Sequence, residues 1–313
     1  MLTLTEAISE FLIHCQYEKN LSEKTIKAYT IDLTQFKNYL KIKGYSQLIL
    51  DITKQEIKEF LISISDLKPK SVKRKIATIK AMFNYLEFED IIKINPFRKM
   101  RIKIRVPQNL PKAMSKKEVL DILKIAYSEF FTEKNSESYS YTEKLKNIVV
   151  VELLFATGAR VSEIANLKKS QINLKTGTIL IKGKGNKERI INVCNRETLS
   201  ILQNYYKHFS DQIKQSDNNF LINRLGKKLS DQSIRTIVRK LASSTSIAQK
   251  VTPHMFRHTF ATLLLEKDVD IKYIQSMLGH SSILTTQIYT QVNSAKQKQI
   301  LRMKHPRKDL VMM

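Results

Sequence analysis

Cysteine is scarce: Cys15 and Cys194 are the only two in 313 residues. They stand far apart, so no disulfide framework is available and a reducing compartment is expected. Neither belongs to a Cys-x-x-Cys or Cys/His cluster, so no zinc site is readable. No apolar run approaches the ~20 residues of a membrane span. Met1 to Phe11 hold acids and no basic segment ahead of an apolar stretch, which excludes a signal peptide. A soluble cytoplasmic protein is expected. There is no internal repeat. Acids are in deficit as well: 29 Asp+Glu stand against 54 Lys+Arg, a formal net charge of +25. Such an excess favours a polyanionic partner, although a generally lysine-rich composition would also produce it.

The length suits two domains. The first reads as four helices. Leu4, Ile8 and Phe11 mark one face. Ile26, Tyr29, Leu33, Phe36 and Leu40 mark a second helix, with Ser22 as N-cap and Gly44 as stop. Thr53-x-x-Glu56 is a capping box opening a third helix through Ile57, Phe60, Leu61 and Ile64. Val72, Ile76, Ile79, Phe83 and Leu86 mark the fourth. Its opposite face carries Lys70, Lys73, Arg74 and Lys80 and meets no acid until Glu87, so it is read as a solvated face or a nucleic-acid face.

From Lys93 to Lys117 there is no acid at all. The cations there are Lys93, Arg98, Lys99, Arg101, Lys103, Arg105, Lys112, Lys116 and Lys117, and Pro96, Pro107 and Pro111 break any helix. This reads as a basic interdomain linker whose one-signed charge suits a phosphate backbone better than a mere tether. The expected division is 1–92, a linker over 93–114, and a second domain over 115–313.

Ser115-x-x-Glu118 opens the second domain with another capping box. The polar stretch Tyr127–Tyr141 is expected to be an exposed loop. Leu145–Ala156 is a buried helix ended by Gly158, and Val161–Leu167 begins another. Thr178–Lys182 and Glu188–Val193 read as strands joined around Gly183-Lys184-Gly185-Asn186. Helices follow at Asp231–Ala242, Pro253–Glu266, Ile271–Leu278 and Ile283–Gln291. Thr252 is placed to cap the Pro253 helix.

Several chemistry-bearing residues punctuate this domain. Arg160 follows a glycine turn in Thr157-Gly158-Ala159-Arg160. Lys184 sits at the glycine-flanked hairpin tip. His254 and Arg257 share one face of a helix's first turn, where the helix dipole favours phosphate. His280 follows Gly279, and Tyr289 comes nine residues later. A phenol can replace an alcohol at phosphorus and conserve the ester's energy. With an unperturbed pKa near about 10, it needs a base and cations at neutral pH. Planar, always-charged guanidinium groups suit the non-bridging oxygens, and a lysine can protonate the leaving 5′-oxygen. Singly, each motif has an ordinary reading as surface pair, turn or core tyrosine. Their joint order is what distinguishes the chain.

That order resembles the tyrosine recombinase (phage integrase) family, whose pattern is Arg, Lys, His-x-x-Arg, His or Trp, then Tyr. The matching stretches are Ala156-Thr157-Gly158-Ala159-Arg160-Val161-Ser162-Glu163, Gly183-Lys184-Gly185-Asn186-Lys187-Glu188-Arg189, Pro253-His254-Met255-Phe256-Arg257-His258-Thr259, and Leu278-Gly279-His280 through Tyr289. Glu18-Lys19-Asn20-Leu21-Ser22, Thr25, Ala28-Tyr29 and Asp32-Leu33 look like the core-binding domain of XerC/XerD-type members. Leu110-Pro111-Lys112 resembles their interdomain segment, and Lys304-His305-Pro306-Arg307 their tail.

The resemblance implies a mainly α fold. A four-helix, SAM-like core-binding domain would precede a mostly helical catalytic domain with a small β-hairpin, with no further arm-binding domain before them. It implies that Arg160 and Arg257 grip the scissile phosphate. Lys184 would be the general acid, His254 the acid/base partner of Tyr289, His280 a phosphate donor, and Tyr289 the nucleophile. Lys70, Lys73, Arg74, Lys99, Arg101, Lys103 and Arg105 are candidate DNA contacts. No metal or other cofactor is implied.

The expected partner is double-stranded DNA with inverted-repeat sites, held by a homo- or hetero-tetramer, with a partner recombinase and a DNA translocase as further candidates. The tail would dock on a neighbouring protomer, and the protein would associate with the nucleoid. A Xer-like role in dimer resolution, a mobile-element integrase and a DNA invertase all fit the motif set, because Tyr127–Tyr141 is longer than a Xer protein requires. A type IB topoisomerase shares the chemistry, but the helical first domain and the tail count against it.

Overall fold

A computed structural model describes residues 2–107, 113–183, 187–279 and 294–310, with the backbone alone at 294–297, 308 and 309. The chain divides into two compact units, Met1–Asn109 and Leu110–Met313. The division falls later than residue 92 because the chain beyond the fourth helix still packs on the first core.

The first unit contains α1 (Leu4–Ile13), α2 (Glu23–Ile42), α3 (Lys54–Ser63) and α4 (Pro69–Phe88). The caps are those the sequence indicates. Ser22 accepts from the Thr25 amide, and Thr53 and Glu56 form a reciprocal capping box. After Lys43, Gly44 takes a left-handed φ of 74°. Helix α1 runs on into one π-helical turn at His14–Glu18. Leu33, Phe36 and Leu40 of α2 meet Ile57 and Phe60 of α3 and Ile79, Phe83 and Leu86 of α4 in one core. Burying each such side chain contributes roughly 1.5–3 kcal/mol. A charged group is also enclosed there. Buried Asp32 of α2 receives Arg74 at 2.7 Å, Lys75 at 3.0 Å and the Thr78 hydroxyl at 3.2 Å, all from α4.

Past α4, Asn95 caps a 3-10 turn at Pro96–Lys99, and Phe97 enters the first core. The segment then runs without regular structure, its side chains alternating. Arg101, Lys103 and Arg105 are exposed, while Ile102 and Ile104 pack against the core.

The second unit is built around α6 (Tyr139–Thr157), whose residues from Leu145 to Thr157 are all buried. Such an enclosed helix is mostly apolar, and its buried polar groups need partners, as Glu152 shows below. It packs against α5 (Lys116–Phe131), α8 (Arg196–Gln215), α9 (Asp231–Ser243) and α10 (Pro253–Leu265). A short α7 (Val161–Ala165) follows α6, and α11 (Ile271–Leu278) follows α10. Strands β1 (Ile172–Asn173), β2 (Thr178–Lys182) and β3 (Glu188–Asn192) form an antiparallel sheet in that order, with Ile179 opposite Ile191 and Lys182 opposite Glu188. The expected helix at Ile283–Gln291 lies outside the described residues.

Two expectations need correction. The polar stretch from Tyr127 is not a loop throughout. Helix α5 continues to Phe131, because Tyr127 and Phe130 lie on its buried face with Val119, Leu123 and Ala126, and only residues 132–138 separate it from α6. Thr252 occupies the N-cap position of α10 without a side-chain capping bond; Pro253 begins that helix. The tail, whose docking on a neighbouring protomer is an expectation about the assembly, packs against its own unit within the single chain. Helix α12 (Ser294–Lys304) buries Leu301, and a 3-10 turn at Pro306–Asp309 follows, with Arg307 and Leu310 buried. Polar groups compel that packing. Arg307 donates to Glu152 of α6 with Nε at 3.0 Å and Nη2 at 2.9 Å, and Glu152 also accepts from the Tyr127 and Thr198 hydroxyls, each at 2.8 Å.

Candidate active site

Two of the sequence-identified catalytic candidates, Arg160 and Arg257, are joined by one frame. Gly158 ends α6 with φ 58°, and a Cβ there would lie 2.7 Å from the Phe260 ring and 2.9 Å from Leu278. Glycine is therefore required both by backbone and by space. The turn delivers Arg160 to the N-cap of α7, where Glu163 takes its backbone amide at 2.8 Å and its Nη1 at 2.8 Å. Arg257, in the first turn of α10, is buried. Its Nη1 donates to the Gly158 carbonyl at 2.9 Å and its Nη2 to the Leu278 carbonyl at 2.7 Å. These are two of its five donors. One guanidinium thus ties the end of α6 to the end of α11.

Glu163 was within the quoted motif but had no role assigned, and the same is true of Arg189. The structure puts them together. Arg189 of β3 makes a fork to Glu163, Nη1 to Oε1 at 3.1 Å and Nη2 to Oε2 at 2.7 Å, while its Nε donates to the Met277 carbonyl at 2.7 Å. Burial alone would raise the Glu163 pKa. The hydrogen bonds and charge of Arg189, then those from Arg160, outweigh it and hold the carboxylate below its usual range. Burial brings Arg257 down to about 10, helped by the charges of Arg160 and Arg189, so it stays protonated at neutral pH. Arg160 and Arg189 share the Glu163 carboxylate, and Arg257 feels only its charge; three guanidinium groups against one carboxylate leave the cluster with surplus positive charge for an anion.

His254 is exposed beside this cluster. Its pKa is lowered by desolvation first, then by His258, Arg257, Arg160 and Arg235, so the neutral imidazole is favoured at neutral pH. Lys184, His280 and Tyr289 lie outside the described residues. The chain bracketing Lys184, at Gly183 and Lys187, and the chain just before His280 are described. The Gly183 amide donates to the Lys187 carbonyl at 2.8 Å across the neck of 184–186. Gly279 ends α11 with φ 63°, immediately before His280. Lys182, the other lysine near the hairpin tip, forms a 3.1 Å ion pair with Glu188. Among the described residues no group of three or more His, Cys, Asp or Glu is placed to hold a metal ion, and no helix is long and apolar enough to cross a membrane.

The candidate DNA contacts lie apart from this cluster in sequence, in the first unit. Lys70, Lys73, Lys99, Arg101, Lys103 and Arg105 are exposed. Arg74 is exposed too, but it is engaged with buried Asp32.

Residues 112–296 match the model of the phage integrase family, and residues 8–90 match that of the phage integrase N-terminal SAM-like domain. A tyrosine recombinase of Agathobacter rectalis is 49% identical over 309 residues, spanning 99% of both chains. Tyrosine recombinase XerC of Pediococcus pentosaceus is 33% identical, covering 96% of this chain and 98% of that protein. Tyrosine recombinase XerD of Halalkalibacterium halodurans is also 33% identical, covering 98% and 100%. Two solved structures share the fold. XerH site-specific recombinase bound to its difH substrate has a TM-score of 0.65 at 23% identity, over 93% of this chain and 83% of that one. A lambda integrase tetramer bound to a Holliday junction has a TM-score of 0.66 at 19% identity, over 91% and 79%. The chain belongs to the phage integrase family and is a tyrosine-type site-specific recombinase of the XerC/XerD type.

Proposed function

We propose that this recombinase cuts and rejoins double-stranded DNA through a 3′-phosphotyrosine intermediate, in a Xer-like role resolving chromosome or plasmid dimers. The observation that carries the chemistry is the frame of Arg160, Arg257, Glu163 and Arg189, with its surplus positive charge beside a neutral His254. In this reading Arg160 and Arg257 hold the non-bridging oxygens of the scissile phosphate. The Tyr289 oxygen attacks phosphorus as His254 takes its proton, and the bond from phosphorus to the 5′-oxygen breaks. Lys184 gives a proton to that oxygen, leaving a 5′-hydroxyl, and His280 donates a hydrogen bond to the phosphate. Rejoining reverses these steps with a 5′-hydroxyl from the partner strand, so one ester replaces another and no net energy is required.

Arg101, Lys103 and Arg105, on the exposed side of an alternating segment, suit a phosphate backbone and add sequence-independent affinity. Lys70, Lys73 and Lys99 join them, and Arg74 contributes from its Asp32 anchor. By analogy with the DNA-bound XerH and the lambda integrase tetramer, the working form is a tetramer on DNA. A second recombinase and a translocase belong to the same reading.

Tyr289→Phe removes only the nucleophilic oxygen. It is expected to bind DNA as the parent does and to form no covalent adduct on a nicked duplex, read on a denaturing gel. A persisting adduct would move the nucleophile elsewhere. Mapping the parent's sites across its own genome tests the cellular role. A single chromosomal site supports resolution, whereas sites flanking a mobile element or an invertible segment overturn it.

A further inference from the structure

We propose that Arg189 is a positioning residue for strand cleavage: it fixes the hairpin strand leading back to Lys184 against both the carboxylate that holds Arg160 and the carbonyl end of α11. This rests on the recombinase reading above.

The position itself argues for it. In β3 the inward places fall to Arg189 and Ile191, and Arg189 lies opposite buried Ile181 of β2. An aliphatic side chain would satisfy that place by packing. A guanidinium there costs desolvation unless it is paired, and this one is paired on both sides. Its fork binds Glu163 in the geometry that most restricts a guanidinium. Its Nε takes the Met277 carbonyl, while Arg257 takes the next carbonyl, Leu278. The last carbonyls of a helix have no partner within the helix and attract cations. Two arginines therefore clamp consecutive carbonyls immediately before Gly279-His280. Packing around the clamp is close. A Cβ on Gly279 would lie 3.2 Å from Arg189 Cδ, and one on Gly183 would lie 3.3 Å from Glu163 Oε1.

The consequence is geometric. Arg160, the hairpin and the end of α11 come from three distant parts of the chain, and Arg189, standing on the hairpin, bonds to the carboxylate that holds Arg160 and to the Met277 carbonyl at the end of α11. Lys184 lies five residues before it in sequence, between Gly183 and Lys187, whose backbones are hydrogen-bonded to each other. Without Arg189 the strand keeps its ladder to β2 but loses its tie to the phosphate-holding frame. Proton delivery to the 5′-oxygen then suffers more than DNA binding.

The test uses Arg189→Lys and Arg189→Gln in the full chain, on a nicked duplex that the parent selects from a random-sequence pool and cleaves. Single-turnover cleavage is measured on the ordinary phosphodiester and on a 5′-bridging phosphorothiolate, whose sulfur leaves without a proton. Melting and DNA affinity are measured alongside. Folded variants should bind DNA within about threefold of the parent and cleave the phosphodiester roughly 100-fold more slowly. The phosphorothiolate deficit should be smaller by about tenfold or more. Cleavage at the parent rate, an equal loss on both substrates, or failure of both variants to fold would each overturn the proposal. A parent that forms no adduct on any selected duplex would instead sink the recombinase reading.

Discussion

Arg307 Nη2 lies 2.9 Å from Glu152 Oε1, and neither side chain is exposed to solvent. The pair locks the C-terminal turn to the middle of α6, and the Tyr127 and Thr198 hydroxyls complete the carboxylate's shell. One turn further along α6, His305 Nε2 donates to the Ala156 carbonyl at 3.1 Å. The tail thus holds α6 at two points on the approach to Gly158 and Arg160.

Arg307→Met should destabilise the second unit by about 3–5 kcal/mol, because it leaves Glu152 buried without a counter-charge. Glu152→Gln in the same chain should recover part of that loss. A double-mutant cycle by urea denaturation measures the coupling; strictly additive losses would mean the two groups do not stabilise each other.

Truncation after Asn293 should damage the catalytic unit itself and not assembly alone. It removes Leu301, His305, Arg307 and Leu310, all buried in this chain. We expect the truncated protein to melt many degrees lower and to lose cleavage before any question of synapsis arises. Calorimetry decides it: a melting temperature within about 2 °C of the full chain would show that the tail contributes nothing in cis.

Acid should weaken the second unit through His305. Its Nδ1 accepts from the Arg307 amide at 2.9 Å, so the neutral Nε2–H form is built in. Burial chiefly, with Arg307 and Lys267 nearby, lowers its pKa to about 4 from an ordinary 6.5. The unfolded chain therefore binds the extra proton first, and stability rises with pH across this window. Its contribution is fully present above about pH 6.5 and is lost as pH falls toward about 4, an effect on the order of 3 kcal/mol. His305→Asn should flatten that part of the profile. An unchanged slope between those pH values would remove His305 as its source.

Changing Arg101, Lys103 and Arg105 together to Gln should lower affinity for target and random DNA alike. Each lost phosphate contact should shrink the log–log salt slope by about 0.9. Ile102 and Ile104 still anchor the segment, so the fold should be unaffected. A loss limited to one sequence at constant slope would make these residues readers of bases.

Much of the fold was legible because its signals are local. Period-3.6 apolar spacing marked α1 to α4, a continuous apolar run marked α6, Pro253 marked the start of α10, and the capping pairs Thr53–Glu56 and Ser115–Glu118 marked helix starts that formed as spaced. Helix α8 went unread although Ile201, Leu202, Tyr205, Phe209 and Ile213 keep the period, because polar residues fill the intervals and hide the stripe. Tyr127 was misplaced for a related reason. Its hydroxyl and the serines around it look like loop chemistry until Glu152 supplies a buried partner.

The catalytic candidates were named from motif order, which sequence alone preserves. The residues that hold them were not, since a contact between Glu163 and Arg189, or between Arg257 and the carbonyls of Gly158 and Leu278, has no local signature. By itself the sequence determined most of the helices, the order of the chemistry-bearing residues and a net charge that suits a polyanion, all of which follow from composition and short-range spacing. Only the tertiary structure decided which cations share Glu163, that Arg74 is tethered to Asp32, and that the tail closes on its own unit. Those outcomes depend on the cost of burying a charge, and that cost is met only where distant parts of the chain converge.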